Sequence, residues 1–162
     1  MPESSSAPPP APAKAAPLFQ EKLWPTAWIW IVVLGLSAAG IFIFAPISIT
    51  TGVIAAIILA ITMIVLLILT TPRIVVTERT LQVGRATIER QYVGAVEAFR
   101  DSEATEQRGP KLHGLAYLCI RGWVGPVVRI EITDNSDPTP YWLASTRHPE
   151  QLAKILQSPK NA

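Results

Sequence analysis

The most constraining feature of this sequence is a run of fifty residues, from Leu23 to Pro72, that contains no Asp, Glu, Lys or Arg. A charge at the centre of a lipid bilayer costs about 2.5–3.5 kcal/mol on insertion scales, so lipid selects against charge over such a length. The core of a soluble domain has no reason to exclude charge from so many successive positions. We therefore predict that this run lies in a membrane.

The uncharged run divides at Ala45-Pro46 into two apolar spans, about 24–45 and 49–70. As α-helices of about 22 residues each, they would be about 33 Å long, enough for a hydrocarbon core of about 30 Å. A connection of three or four residues requires the two helices to be antiparallel. Pro72 ends the second helix, because proline lacks a backbone donor and clashes with the preceding turn. Residues 23–72 are thus predicted to form a transmembrane helical hairpin.

The basic residues around the hairpin predict its orientation. The turn between the spans has none, whereas six basic residues flank the hairpin: Lys14, Lys22, Arg73, Arg79, Arg85 and Arg90. Positively charged residues near membrane spans stay in the cytoplasm. We expect a two-pass protein of the cell (inner) membrane with both termini in the cytoplasm.

The segment before the hairpin differs from the rest in composition. Residues 1–17 are almost entirely Pro, Ala and Ser, a composition that buries too little apolar surface to offset the entropy of ordering. We predict a disordered N-terminal tail and assign it residues 1–22.

Residues 73–162 have the period-two alternation of β-strands. Pro149 opens a C-terminal helix, about 149–157, with Leu152, Ile155 and Leu156 as its apolar stripe. The polar segment 101–113 is predicted to be a loop.

Together these features predict an α+β membrane protein, in which the hairpin precedes a curved antiparallel β domain. By its order of elements this domain resembles bacterial pleckstrin-homology-like (PH-like) domains. The predicted strands are 74–77, 81–83, 92–99, 115–120, 128–133 and 141–145.

Charge and cysteine content exclude several classes of function. Residues 73–162 contain 12 basic and 10 acidic side chains, interspersed, which provides no basic stripe for nucleic acid. Cys119 is the single cysteine, so neither an intramolecular disulfide nor a cysteine-based zinc cluster is possible. The sequence has no paired carboxylates at metal-ligand spacing and no phosphate-binding loop. We expect no enzymatic activity and no metal or cofactor.

A polar and aromatic set remains as a candidate surface for a partner. Arginine and aromatic residues are frequent in binding hot spots, because they combine contact area with directional donors. The alternative is that the aromatic residues lie at the edge of the core, while the arginines either extend their charged ends to the solvent or pair with Glu131 and Asp137. The candidate set is Arg121, Trp123, Arg129, Tyr141 and Trp142.

Several segments resemble an actinobacterial family of two-span membrane proteins that is defined by a domain of unknown function. They are EKLWPTAWIW at 21–30, VGRATI and YVGAVEAF within 83–99, RGWV at 121–124 and DPTPYWLASTRHPEQLAKIL at 137–156. The resemblance runs from about residue 19 to 156. It implies the two-span topology, and it carries no activity and no site residues.

Two functional hypotheses follow. In the first, the protein is a membrane-anchored binding module whose cytoplasmic domain binds a protein partner or an inner-leaflet lipid. In the second, it is a small subunit of a transport or envelope-assembly complex that acts through its hairpin. Small residues at Gly35, Ala39, Gly52, Ala56 and Ala60 would pack the hairpin on itself, or would contact a second copy or a partner helix.

Overall fold

The computed structural model describes residues 16–158, and most of the predicted N-terminal tail lies outside this range. The predicted tail, residues 1–22, extends too far. Its last four residues form strand β1 (Phe19–Lys22), which pairs in a sheet. Phe19 and Glu21 point inward while Gln20 and Lys22 are exposed, which is the alternation of a strand with one buried face. Four residues were too few for this alternation to stand out in the sequence.

Two long apolar helices follow: α1 (Ala27–Phe44) and α2 (Ile49–Thr70). Both are long and apolar enough to cross a membrane. Helix α2 has the predicted bounds. Helix α1 begins three residues later than predicted, since Thr26 has extended backbone and Pro25 precedes it.

The two helices pack against each other through small side chains. Val33, Ser37 and Gly40 of α1 are buried, as are Gly52 and Ala56 of α2. Most of the large apolar side chains of both helices point away from this interface and are exposed. The predicted packing role is thus seen at Gly52 and Ala56, whereas Gly35 faces open space.

The first sheet joins the chain on both sides of the hairpin. Its antiparallel order is β1, β2 (Arg73–Val76), β3 (Thr80–Val83) and β4 (Ala86–Glu89). Because β1 precedes the helices and β2 follows them, their pairing closes the base of the hairpin.

A short 3-10 helix (Arg90–Tyr92) leads to the second sheet, whose order is β5 (Val93–Phe99), β7 (Val127–Ile132), β8 (Tyr141–Ser145) and β6 (Tyr117–Cys119). The prediction of a wholly antiparallel domain is wrong at one pair, because β6 runs parallel to β8. A parallel neighbour needs a long crossover connection, and residues 120–140 provide it through β7.

Two helices complete the domain. Helix α4 (Pro149–Gln157) is at the predicted position, and its Leu152, Ala153 and Leu156 lie in the core between the sheets. Helix α3 (Asp101–Arg108) replaces part of the predicted loop. Acidic residues in the first turn of α3 and Arg108 in its last turn interact favourably with the helix dipole. Only Ala104 and Gln107 of this helix are buried, which is too few to form an apolar stripe in the sequence.

Candidate functional site

The candidate site is the junction between the helices and the β domain, formed by residues 21–26, 70–73, 120–123 and 145–147. Lys22 and Arg73 are direct partners in the β1–β2 pair, and the N–H of Leu23 donates to the carbonyl of Pro72 over 3.1 Å. Leu23 is fully buried. The strands that enter and leave the hairpin are therefore held together up to the point where the helices start.

Trp123 fastens the start of α1 to the domain. Its indole N–H donates to the carbonyl of Leu23 over 3.1 Å, and its own carbonyl accepts a hydrogen bond from Thr26 Oγ1 at 3.2 Å. These bonds join positions about a hundred residues apart in sequence. They fix the angle at which the chain enters the first helix.

Arg121 joins the end of α2 to the domain, as Trp123 joins the start of α1. Its guanidinium donates to the carbonyls of Thr70 at 2.6 Å and Ile120 at 2.8 Å, while its backbone N–H donates to Ser145 Oγ at 3.0 Å. The last carbonyls of a helix lack intrahelical donors and carry partial negative charge, so an arginine there is stabilising.

Glu21 is a buried acid at the centre of the junction, with 9% of its surface exposed. Its carboxylate accepts hydrogen bonds from Thr146 Oγ1 at 2.5 Å and from the backbone N–H of Arg147 at 2.9 Å. The Arg147 guanidinium lies 3.9 Å from the same carboxylate and donates to the carbonyl of Trp24 over 2.7 Å. Strand β1 and the loop after β8 are thereby joined.

The structure does not bring the five predicted surface residues together. Arg121 and Trp123 lie in the junction. Tyr141 and Trp142 are 3% and 4% exposed, so their assignment to an open surface is wrong. Adjacent residues of β8 point to opposite faces of the sheet, which places these two rings in separate apolar clusters.

The two rings have structural partners. Trp142 packs on Tyr117 with ring centroids 5.2 Å apart, and the Tyr141 hydroxyl accepts the backbone N–H of His113 at 2.7 Å. Arg129 lies over the Tyr141 ring at 4.3 Å, and its guanidinium is 3.8 Å from Glu97. The predicted alternative, core-edge aromatic residues with a paired arginine, describes these residues better, although the acid is Glu97 and not Glu131.

A cleft of about 360 Å³ opens beside the junction, between the end of α2, the β3–β4 turn and β6. We name it the arginine cleft, because three arginine residues line it. Counting charges over the whole domain missed this cluster, since its members are far apart in sequence. It is lined by Leu69, Thr70, Thr71, Pro72, Arg73, Gly84, Arg85, Tyr117, Leu118, Cys119 and Arg121.

The thiol of Cys119 forms part of the same cleft but is buried. Burial raises the pKa of Cys119, and the nearby positive charge of Arg121 opposes this rise. The thiolate, which is the reactive form, is therefore disfavoured. Among residues 16–158 no group of three or more His, Cys, Asp or Glu is placed to hold a metal ion.

The fold and junction define a class: a pair of apolar helices, long enough to cross a membrane, fastened at their base to a two-sheet α+β domain. A family model described as "Protein of unknown function (DUF3093)" matches residues 18–156, and the chain belongs to this family. Comparison with curated proteins and with solved structures gave no significant match. Three of the segments that carry the resemblance meet at the junction, through Glu21, Trp123 and Thr146.

Proposed function

We propose that this protein is a non-enzymatic, membrane-anchored binding module, in which α1 and α2 span the bilayer and the β domain presents a surface next to it. The observation that carries this proposal is the combination of an apolar, outward-facing helix pair with a junction that fixes the domain at its base. Exposing that apolar surface to water is unfavourable, whereas contact with the hydrocarbon core of a bilayer is favourable.

Charge supports a cytoplasmic position for the domain and both termini. Lys22, Arg73 and Arg85 lie at the domain end of the helices, while the turn at 45–48 has no charged residue. Basic residues next to a span favour the cytoplasmic side. Two long apolar helices support the inner membrane of the cell as the location in this proposal.

The domain has features that support a PH-like fold. Two four-stranded sheets share one apolar core with the C-terminal helix α4, which contributes Leu152 and Leu156. The parallel β6–β8 pair and the use of a strand that precedes the hairpin are departures from a simple meander.

Binding is favoured over catalysis by the chemistry of the arginine cleft. Arginine guanidinium groups stay protonated and act as donors and positive charges, which suits recognition of anions. The nucleophile in the cleft, Cys119, is buried with a raised pKa.

Membrane insertion and topology test the proposal. The chain should stay in the membrane pellet after alkaline carbonate extraction. A fluorescent protein fused after Ala162 should be bright and alkaline phosphatase at the same position inactive. Phosphatase fused within the turn, after Ile47, should be active. Release of the chain by carbonate, or an active phosphatase at the C terminus, would contradict the proposal.

A second candidate function is that of a small subunit of a transport or envelope-assembly complex that acts through its hairpin, with a protein partner or a second copy. One observation favours it: Gly35 lies in an apolar helix, and no neighbouring side chain or other segment among residues 16–158 comes within 4 Å of the position a Cβ would take. Such an open position permits another helix to approach closely. Exchanging both spans for unrelated apolar helices distinguishes the candidates, since a domain-based function would be retained and a hairpin-based one lost.

A further inference from the structure

The arginine cleft concentrates positive charge at the level where the helices end. Arg73 opens β2, directly after α2 and the short link, and Arg85 lies in the β3–β4 turn. The N–H of Gly84 donates to the carbonyl of Arg73 over 2.8 Å, which holds these two segments together. Gly84 has a φ of +62°, the conformation that a two-residue hairpin turn with glycine at its first central position adopts.

This charge is not neutralised by neighbouring side chains. None of the described residues that line the cleft is acidic. Within residues 16–158, the ion pairs involve Arg100, Lys111, Arg129 and Arg147, so Arg73, Arg85 and Arg121 have no acidic partner there. Arg121 offsets the partial negative charge at the end of α2. The guanidinium groups of Arg73 and Arg85 remain for an external anion.

Apolar side chains flank the same cleft. Leu69, in the last turn of α2, is 75% exposed, and Leu118 on the edge strand β6 is 45% exposed. A cleft lined by arginine residues and bordered by two exposed leucines fits a molecule with an anionic head and a hydrocarbon tail. A free phosphate ion would use only the charge.

We propose that the arginine cleft binds the phosphate-bearing headgroup of an anionic phospholipid in the leaflet next to the domain, an inference that rests on the proposed membrane anchoring. Arg73 and Arg85 donate to the phosphate oxygens, and the acyl chains lie along α2 at Leu69. The near balance of charge over the whole domain does not oppose this, because exposed charges are screened beyond about 8–10 Å at physiological salt.

The test uses the full-length chain in detergent micelles, titrated with phosphatidylglycerol or phosphatidylcholine, with bound lipid counted by native mass spectrometry. The variant is Arg73→Gln/Arg85→Gln, which removes two exposed charges from the cleft. The matched control is Arg79→Gln/Lys154→Gln, which removes two exposed charges outside it. A juxtamembrane basic residue contributes about 1 kcal/mol toward anionic lipid, so the cleft variant should bind phosphatidylglycerol roughly 30-fold more weakly. The control and the affinity for phosphatidylcholine should change little.

A competition arm separates the two sources of phosphate. Inorganic phosphate at the concentration of the lipid should leave phosphatidylglycerol bound; its displacement would assign the cleft to soluble phosphate and overturn the lipid proposal. Equal affinity of wild type, cleft variant and control for phosphatidylglycerol would also overturn it. Carbonate extraction of the same proteins keeps the two proposals apart. An embedded chain without lipid preference contradicts only the cleft, whereas an extracted chain contradicts the anchoring as well.

Discussion

The carboxylate of Glu21 accepts a hydrogen bond from the hydroxyl of Thr146 at 2.5 Å, although 125 positions separate the two residues. Thr146 is fully buried and Glu21 nearly so. The contact joins the strand before the hairpin to the loop between the last strand and α4, close to the start of the first helix. A buried carboxyl group is retained in the interior when its oxygens are hydrogen bonded, as they are here.

Replacing Glu21 by Ala should destabilise the domain by about 1–3 kcal/mol, because the Thr146 hydroxyl and the Arg147 N–H would both lose their acceptor. The loss is measured as a lower Tm of the full chain in detergent. Gln20→Ala is the control, since Gln20 is exposed on the same strand. Equal Tm values for the two variants would show that the buried contact contributes no stability.

Trp123→Phe should loosen the junction while keeping an aromatic ring in place. The variant loses the indole donor to Leu23, a bond worth about 0.5–1.5 kcal/mol, so local opening should increase roughly 2- to 12-fold. Trypsin cleavage after Lys22 measures this opening when reclosing is fast. Trp28→Phe is the control, because Trp28 is exposed on α1. An unchanged cleavage rate for Trp123→Phe would contradict the role given to its indole.

The parts of the fold that could be predicted are those that local sequence patterns determine. The uncharged run specifies the helix pair, and the alternation in 128–133 specifies β7. The sequence does not predict helix α3, because this helix has no apolar stripe and depends on Ala104 packing against the domain. Local pattern does not contain that packing.

Most of the candidate site could not be predicted from local sequence patterns. The chemistry of Arg121 and Trp123 predicts a role in contacts, and both lie in the junction. The same chemistry predicts a surface role for Tyr141 and Trp142, which are core residues. Burial distinguishes the pairs, and burial follows from sheet pairing. Glu21 lay in a segment assigned to the tail, and only its pairing with β2 reveals its partners.

Gly52→Ala should destabilise the helix pair. A Cβ at this position would lie 2.9 Å from the backbone carbonyl oxygen of Ile41, so the helices would have to separate, at a cost of about 1–3 kcal/mol. Thermal loss of helical circular dichroism in detergent measures the effect. Gly40→Ala meets Ala56 at an ordinary 3.6 Å, and Gly35→Ala meets nothing, so both should be tolerated. A loss of stability in Gly35→Ala, without one in Gly52→Ala, would place the important helix contact on the outer face.

Glu150, in the first turn of α4, provides a pH-dependent prediction. The Arg100 guanidinium donates to both of its carboxylate oxygens, at 2.5 and 2.7 Å. These bonds lower the pKa of Glu150 from its ordinary 4.5 to about 2. Because the folded state has the lower pKa, the ion pair stabilises the fold fully above about pH 4.5, and this contribution is lost as the pH falls toward 2.

The carboxyl carbon shift of Glu150, followed by NMR through acid pH, should therefore titrate near pH 2 in the wild type. In Arg100→Gln the midpoint should move up toward 4.5, since the largest cause of the lowered pKa is removed. Arg79→Gln, which removes an exposed basic side chain from the turn between β2 and β3, should leave the midpoint in place. The pair is exposed, so the effect on Tm should be small and should shrink with added salt. A wild-type midpoint near 4.5 would mean that the two side chains do not hold this geometry in solution.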